Sequence, residues 1–192
     1  MGRPRQFDED VAISAAMELF WRKGYGATTP ADLTDALGVG KGSFYNAFGS
    51  KHALFEQALR RYGDERVARL TAILTQPGAA RKRLQAALEQ LATTSNRHLR
   101  HRGCLATNTA AELGGLDRSA SEIVRGIFDR MERALQSTIE EGQRNGEIVV
   151  DRDAKDVASL LLTTIVGMAV MAKTADRGGR LRRVITALMA SF

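Results

Sequence analysis

Residues 29–48 read as two short helices on either side of a tight turn, and this pattern constrains the fold more than any other part of the chain. Thr29 followed by Pro30 is a helix N-cap followed by a proline at the first helical position, where the missing N–H costs nothing. Gly38 readily adopts the left-handed conformation that ends many helices, so the first helix stops there and Val39 fills the turn. Two short helices with a glycine in the turn predict a helix-turn-helix.

The second helix of this pair runs from about Lys41 to Phe48, and its two phenylalanines decide which side faces inward. Phe44 and Phe48 lie one turn apart, so both face the core, and this turns Tyr45 outward. Lys41 and the small residues after it stand at the helix N-terminus, where backbone N–H groups can approach a phosphate closely. In a helix-turn-helix this second helix lies in the major groove of DNA.

Glycine and proline punctuation divides the rest of the chain into helices, and no segment shows strand alternation bounded by hairpin turns. One helix is capped by Asp8 and stopped by Gly24, and another is capped by Ser50. The pair Pro77-Gly78 is the clearest break, and we expect five helices after it, at residues 79–100, 104–113, 119–144, 153–173 and 180–190. The chain is therefore predicted to be all-α, with about nine helices.

We expect two domains joined by the helix that Ser50 caps. Residues 1–62 form the three-helix helix-turn-helix head, including an N-terminal arm at residues 1–7. Residues 63–192 form a helical-bundle body.

The net charge of +6 is not concentrated in the head, where residues 1–61 hold eight Lys and Arg against seven Asp and Glu. A protein that packages DNA nonspecifically would have a more basic face, because its affinity comes from neutralising phosphates. Nonspecific or architectural DNA binding is therefore only an alternative. An enzyme would need a convergent nucleophile, base or metal site, and three histidines, one cysteine and no phosphate-binding glycine loop predict no enzyme and no cofactor.

The single cysteine and the start of the chain predict a cytoplasmic protein. Cys104 cannot form an intramolecular disulfide, and no charged-then-apolar leader begins the sequence. The most apolar stretch, residues 157–172, is interrupted by polar residues and is shorter than the roughly 20 residues that span a bilayer. We therefore expect a buried helix there and no membrane partner.

His98, His101 and Cys104 are spaced three apart and could in principle ligate zinc or copper. Gly103 breaks the helix between them, so we interpret this segment as a basic loop and predict no metal site. Cys104 alone could act as a redox sensor, since neighbouring cations favour the thiolate. It also starts an apolar segment, and free cysteine is among the most buried residue types. A redox-sensing regulator remains an alternative.

The run from Leu33 to Lys51, with Phe20 and Gly24-Tyr25 before it and Leu54-Phe55 after it, resembles the N-terminal domain of TetR-family regulators. The resemblance covers residues 8–60, and beyond them it is a match of helix count and layout. It implies a sequence-specific DNA-binding regulator, most often a repressor that a small effector releases from a palindromic operator.

The resemblance implies that four side chains contact DNA phosphates and that four residues lie nearest base edges. The first set is Thr29, Lys41, Tyr45 and Lys51, and the second is Gly42, Ser43, Phe44 and Asn46. The helical spacing buries Phe44 and conflicts with its place in the second set. Asparagine pairs bidentately with adenine, so Asn46 is expected to read sequence. Arg3 and Arg5 resemble arms that enter the minor groove, although a tail without a DNA contact is an equal alternative.

Apolar stripes on the last two helices predict a homodimer, because two stripes from each subunit can form a four-helix interface. Such a dimer would place its two heads on half-sites of a pseudo-palindromic operator about 34–36 Å apart, or a multiple of that distance. The stripes consist of Val157, Leu160, Leu161, Thr164, Met168 and Met171, and of Leu181, Val184, Ile185, Leu188 and Met189.

The resemblance also places a small-effector pocket among the body helices, whereas residues at the same spacing could equally form a solid core. The expected apolar lining is Leu91, Cys104, Leu105, Phe128, Met131 and Met168. The expected polar contacts are Thr107, Asn108 and Thr164.

Overall fold

The computed structural model describes residues 8–92, 102–174 and 179–191. Within these ranges the chain is helical and contains no strand, which confirms the all-α prediction. The helices are α1 (Glu9–Lys23), α2 (Pro30–Leu37), α3 (Lys41–Phe48), α4 (Lys51–Leu74), α5 (Ala80–Ala92), α6 (Leu105–Leu113), α7 (Arg118–Arg144), α8 (Ala154–Met171) and α9 (Gly179–Met189), with a 3-10 turn at Ala172–Thr174.

The sequence predicts most helix boundaries because local capping groups set them. The Asp8 carboxylate accepts hydrogen bonds from the N–H groups of Asp10 and Val11, and the Ser50 hydroxyl accepts one from Ala53. In the body, Asp117 and Asp153 cap α7 and α8 in the same way. The helix expected at residues 79–100 is described as α5, and the remainder of that range lies outside the described residues.

The head consists of α1, α2, α3 and the first half of α4, packed around an aromatic cluster. The ring centroids of Phe20 and Phe55 lie 5.0 Å apart, and those of Tyr25 and Phe55 lie 4.7 Å apart. Leu33 of α2 and Leu54 of α4 are fully buried beside them. Leu33 is the buried residue of α2, whereas Leu37 is half-buried and Ala36 is exposed.

The body is a helical bundle whose central member is the 27-residue α7, which packs along both α4 and α8. Helix α4 crosses the boundary that we expected at residue 62 and buries Leu70 and Leu74 in the body. Gly63 of α4 lies directly against Ile127 of α7, and the missing side chain allows the two helices to approach closely there. A rigid helix therefore connects the head to the body core.

Helix α8 supplies a large part of the body core. With the 3-10 turn it forms the one segment of the described ranges, Ala154–Thr174, that is long and apolar enough to cross a membrane by length and composition. The prediction that residues 157–172 are too short to span a bilayer was therefore wrong, because the apolar helical segment is longer than that stretch. The helix packs on α7 and α5 and buries Val157 and Leu161, as an apolar core helix does.

Replacing Gly63 with alanine tests the crossing of α4 and α7. A Cβ at Gly63 would lie 2.4 Å from Cγ1 and 2.6 Å from Cδ1 of Ile127, whereas a Cβ at Gly126 would meet no atom within 4 Å. Gly126→Ala is therefore the matched control, and we expect it to raise the free energy of unfolding by about 0.5–1 kcal/mol. Gly63→Ala should lower it by about 1–3 kcal/mol because of overpacking. Urea unfolding measures both changes.

Ile127→Ala provides the second control, because it removes the atoms that the new methyl group would meet. The Gly63→Ala, Ile127→Ala double variant should be more stable than the sum of the single effects predicts. Additive effects, or an equal gain from both glycine substitutions, would contradict the close approach.

Candidate nucleic-acid interface

Helix α3 presents one continuous exposed surface because its two phenylalanines hold the opposite side in the core. Phe44 is fully buried and Phe48 is nearly so, with their ring centroids 5.8 Å apart. The prediction that Phe44 contacts a base edge was therefore wrong, because no part of its side chain reaches the surface. The exposed surface is formed by the other five predicted residues of the helix, which are Lys41, Gly42, Ser43, Tyr45 and Asn46.

The first turn of α3 leaves its backbone donors open. Gly40 is the N-cap residue and provides no side-chain hydrogen bond to the helix. A Cβ at Gly40 or at Gly42 would meet no atom within 4 Å, so the backbone faces open space at both positions. Unpaired N–H groups at a helix N-terminus attract anions. A phosphate can approach this turn without steric hindrance.

The turn before α3 has the geometry that the sequence predicts. Gly38 adopts the left-handed conformation with φ of 63° and donates its N–H to the Asp35 carbonyl at 3.2 Å. The next N–H, that of Val39, donates to the Thr34 carbonyl at 3.1 Å. These two bonds fix the angle between α2 and α3 and so the orientation of the exposed surface.

Thr29 caps α2 as predicted, and its hydroxyl is fully engaged in a capping box. The hydroxyl accepts a hydrogen bond from the Asp32 N–H at 3.1 Å and donates to the Asp32 carboxylate at 2.9 Å. The same carboxylate pairs with Lys23 of α1 at 2.6 Å. The Lys23 ammonium and the Thr29 donors hold the pKa of Asp32 well below its usual range. The phosphate contact of Thr29 stays a prediction.

Lys51 braces the loop between α1 and α2. Its ammonium donates to the carbonyls of Tyr25 at 3.0 Å and Thr28 at 2.9 Å, and it lies 4.1 Å from the centroid of the Tyr25 ring. These contacts use two of its three donors, so they leave at most one for a phosphate. The phosphate contact expected of Lys51 stays a prediction, and no local sequence pattern indicates the bracing role. Arg3 and Arg5 lie outside the described residues.

The same loop is held from the other side by the body. The Glu112 carboxylate, at the end of α6, accepts the N–H groups of Tyr25 at 3.0 Å and Gly26 at 2.6 Å. A Cβ at Gly24 would lie 2.9 Å from this carboxylate, so the glycine that ends α1 also permits the approach. Sequence reasoning missed this contact because no local pattern connects residues that are 86 and 87 positions apart.

Two further contacts join the head to the body. The Trp21 indole N–H donates to the Gly103 carbonyl at 3.1 Å, and His52 lies 3.0 Å from the Asp117 carboxylate. Hydrogen bonds from the Ala120 N–H and the Ser119 hydroxyl, together with the His52 charge, lower the pKa of Asp117. These polar contacts add to helix α4 and to the shared hydrophobic core in setting the orientation of α3 relative to the body.

The predicted dimer stripes require a correction, because most of their residues fill the core of a single subunit. Seven are buried within the chain and cannot contact a second copy, namely Val157, Leu161, Met168, Leu181, Ile185, Leu188 and Met189. Leu160 is 45% exposed and Val184 is 37% exposed, and Thr164 and Met171 are half-buried. Val170, which we did not predict, is 49% exposed on the same helix as Leu160. The available apolar surface is thus narrower than predicted.

The predicted effector pocket also requires a correction. Cys104, Leu105, Met131 and Met168 are core residues, Thr107 is buried, and the Thr164 hydroxyl donates to the carbonyl of Leu160 in its own helix. Among the cavities that the described residues form, Asn108 lines an open cleft of about 660 Å³ and Phe128 lines a separate groove between α6 and α7. The side chain of Leu91 lies outside the described residues. The predicted set does not enclose one cavity.

Cys104 is buried at the N-terminus of α6. The Tyr62 hydroxyl, itself almost fully buried, donates to its Sγ atom at 3.3 Å. Burial raises the pKa of Tyr62, so its hydroxyl stays protonated and remains a donor. This environment is that of a structural cysteine, whereas reactive cysteines are partly exposed. His98 and His101 of the proposed basic loop lie outside the described residues.

Two family models match the chain. The model described as "Bacterial regulatory proteins, tetR family" matches residues 12–58, and the model described as "Tetracyclin repressor-like, C-terminal domain" matches residues 78–188. The two matched segments correspond to the head and to most of the body.

Relatives and solved structures agree with these models. The HTH-type transcriptional repressor ComR of Escherichia coli (strain K12) is 32% identical over 90% of this chain and 82% of its own length. The HTH-type transcriptional repressor DhaR of Mycobacterium sp. (strain GP1) is 30% identical over 84% of this chain and 80% of its own. A cysteine mutant of the TetR family transcriptional regulator CifR, solved in complex with a 26bp double-strand operator DNA, is 28% identical and superimposes with a TM-score of 0.85 over 100% of both chains.

The match of a body model to more than half of the chain, together with the helix-turn-helix model over α1 to α4, establishes the family. This chain belongs to the TetR family of bacterial DNA-binding transcription regulators.

Proposed function

We propose that this regulator is a repressor that binds a pseudo-palindromic operator as a homodimer and leaves it when a small effector binds. The observation that carries the proposal is the exposed surface of α3, where open backbone donors at Gly42 and Ser43 adjoin the exposed side chains of Tyr45 and Asn46. Backbone donors at a helix N-terminus suit phosphates, and an exposed amide suits a base edge. The repressor names of ComR and DhaR favour repression over activation.

A homodimer is consistent both with the exposed apolar surface of the body and with the need to select one operator sequence. The side of α8 that includes Leu160 and Val170 is exposed and apolar, and Val184 of α9 adds to it. Apolar surface of this kind is normally covered in a stable protein, and a second copy would cover it symmetrically. One eight-residue helix such as α3 reads few base pairs, so two copies are needed to select one operator.

Lys41 of α3 should contact DNA phosphates through its charge, and Tyr45 of the same helix through its hydroxyl group. Lys41→Gln should reduce the slope of log affinity against log salt by about 1, because one phosphate contact is lost. Lys82→Gln on α5 is the matched control, since it removes the same charge from an exposed position in the body. Tyr45→Phe should weaken binding to every operator variant by a similar factor. Fluorescence anisotropy across a salt series measures both effects, and equal salt slopes for Lys41→Gln and Lys82→Gln would contradict the assignment.

The sequence preference should depend on Asn46. Asn46→Ala removes an amide that can pair bidentately with adenine, so discrimination at one base pair should fall by about 1–3 kcal/mol. Affinities for a set of single-base operator variants, measured at one salt concentration, test this change. If the ranking of the variants is the same before and after the substitution, Asn46 does not read sequence.

The dimer interface should be sensitive to a charge on its exposed apolar residues. Leu160→Glu or Val184→Glu should shift sedimentation at micromolar concentration from dimer to monomer and abolish operator binding, because two carboxylates would be buried against apolar surface. Leu116→Glu is the matched control, since Leu116 is 84% exposed at the turn between α6 and α7. A wild-type chain that sediments as a monomer, or a Leu160→Glu variant that remains dimeric, would contradict this interface.

A further inference from the structure

We propose that the open cleft between head and body binds a small organic anion with a flat apolar part, and that this cleft is the effector site. The inference rests on the proposed function, because the effector is defined by its action on operator binding. The cleft has a volume of about 660 Å³, within the range of small-molecule sites. It lies outside the body core in which we had expected the pocket. Its lining includes Trp21, Arg22 and Lys23 of the head and Arg102, Asn108 and Lys173 of the body.

The charged side chains that line the cleft determine which class of ligand it can bind. Four cationic side chains line the cleft, against the single carboxylate of Glu112, which the N–H groups of Tyr25 and Gly26 already satisfy. Arg22 and Lys173 have no carboxylate partner among the described residues. Two such cations facing one space favour a carboxylate or a phosphate.

The Lys173 side chain, a cation that the body contributes to the cleft, is held in position. The stem of Lys173 crosses Gly103, where an added Cβ would lie 2.9 Å from its Cδ atom. Its ammonium donates to the Asn108 amide oxygen at 3.1 Å, and the Asn108 amide nitrogen donates to the Arg102 carbonyl at 2.8 Å. Lys173 is therefore fixed at the cleft by a chain of contacts that leaves two of its three donors for a ligand.

Trp21 provides the flat apolar wall. Its ring is partly buried and is fixed by the hydrogen bond to the Gly103 carbonyl and by an edge-to-face contact with Tyr62, with ring centroids 5.1 Å apart. The Arg102 guanidinium lies 5.9 Å from the ring centroid and is held by an ion pair with Glu18. An aromatic wall beside cationic groups suits a ligand that joins a planar apolar part to an anionic group.

The position of the cleft couples its occupancy to DNA binding. Trp21, Arg22 and Lys23 belong to α1 of the head, whereas Asn108 and Lys173 belong to the body, so one ligand contacts both units. An anion in the cleft competes with Asp32 for Lys23, and this ion pair ties α1 to the first turn of α2. Loosening the pair disturbs the support of α3 and lowers operator affinity. By linkage, operator DNA lowers ligand affinity by the same factor.

The test uses 3-phenylpropionate and phenyl phosphate as probes, with neutral 3-phenylpropanamide as the control for the anionic group. The chain contains a single tryptophan, so its fluorescence reports directly on the cleft. At constant ionic strength, at least one anion should change this fluorescence saturably, and the amide should not. The two anions distinguish a carboxylate from a phosphate ligand. The same anion should release operator DNA in an anisotropy assay.

One double variant and one control variant locate the binding site. The Arg22→Gln, Lys173→Gln double variant should bind the active anion about tenfold more weakly or worse, because it loses charge-assisted hydrogen bonds. Lys82→Gln should bind it like the wild type. A fluorescence response that the amide shares, or that survives in the double variant, overturns the site, as does the absence of a response to either anion.

Measuring operator binding by the unliganded protein distinguishes failure of the proposed function from failure of the proposed effector site. Failure of the unliganded protein to bind operator DNA would refute the proposed function, whereas the fluorescence titration is independent of DNA. An anion that binds the cleft without changing operator affinity would overturn its role as the effector site.

Discussion

The burial of Phe44 and Phe48 is the interaction on which the DNA-binding surface depends. Burying one such side chain contributes about 1.5–3 kcal/mol, so α3 cannot rotate about its axis without losing much of the stability of the head. With those two rings fixed in the core, the helical repeat leaves Tyr45 and Asn46 only an outward direction. The chemistry of the exposed side chains is therefore free to vary while the orientation of the helix is constant.

The head is joined to the body by helix α4, by a shared hydrophobic core and by a set of polar contacts. Its polar contacts with α6 and the segment before it include the Glu112 carboxylate on the Tyr25 and Gly26 N–H groups, the Trp21 indole on Gly103, and the Glu18–Arg102 ion pair. Hydrogen bonds of this kind contribute about 0.5–3 kcal/mol each, so a ligand with similar contacts can shift the balance. The continuous helix α4 carries any change in the head to the closely packed crossing with α7.

The sequence predicts the parts of this molecule that local chemistry determines. The Thr29 cap, the Gly38 turn and the outward face of Tyr45 each follow from a few adjacent residues. The roles of Lys51 and Glu112 could not be predicted, because their partners are brought close only by the tertiary fold. Helix α8 is apolar around most of its circumference, so periodicity could not distinguish its core face from its exposed face, and the predicted dimer and pocket residues fell largely in the core.

If two symmetric copies of α3 read one operator, a hydroxyl-radical footprint of the bound DNA will show it. The operator is first selected from random-sequence DNA by binding to the intact protein. Two protected segments related by twofold symmetry are expected, with centres one helical turn of about 10–10.5 base pairs apart, or a multiple of it. A single protected segment, or protection without symmetry, would contradict it.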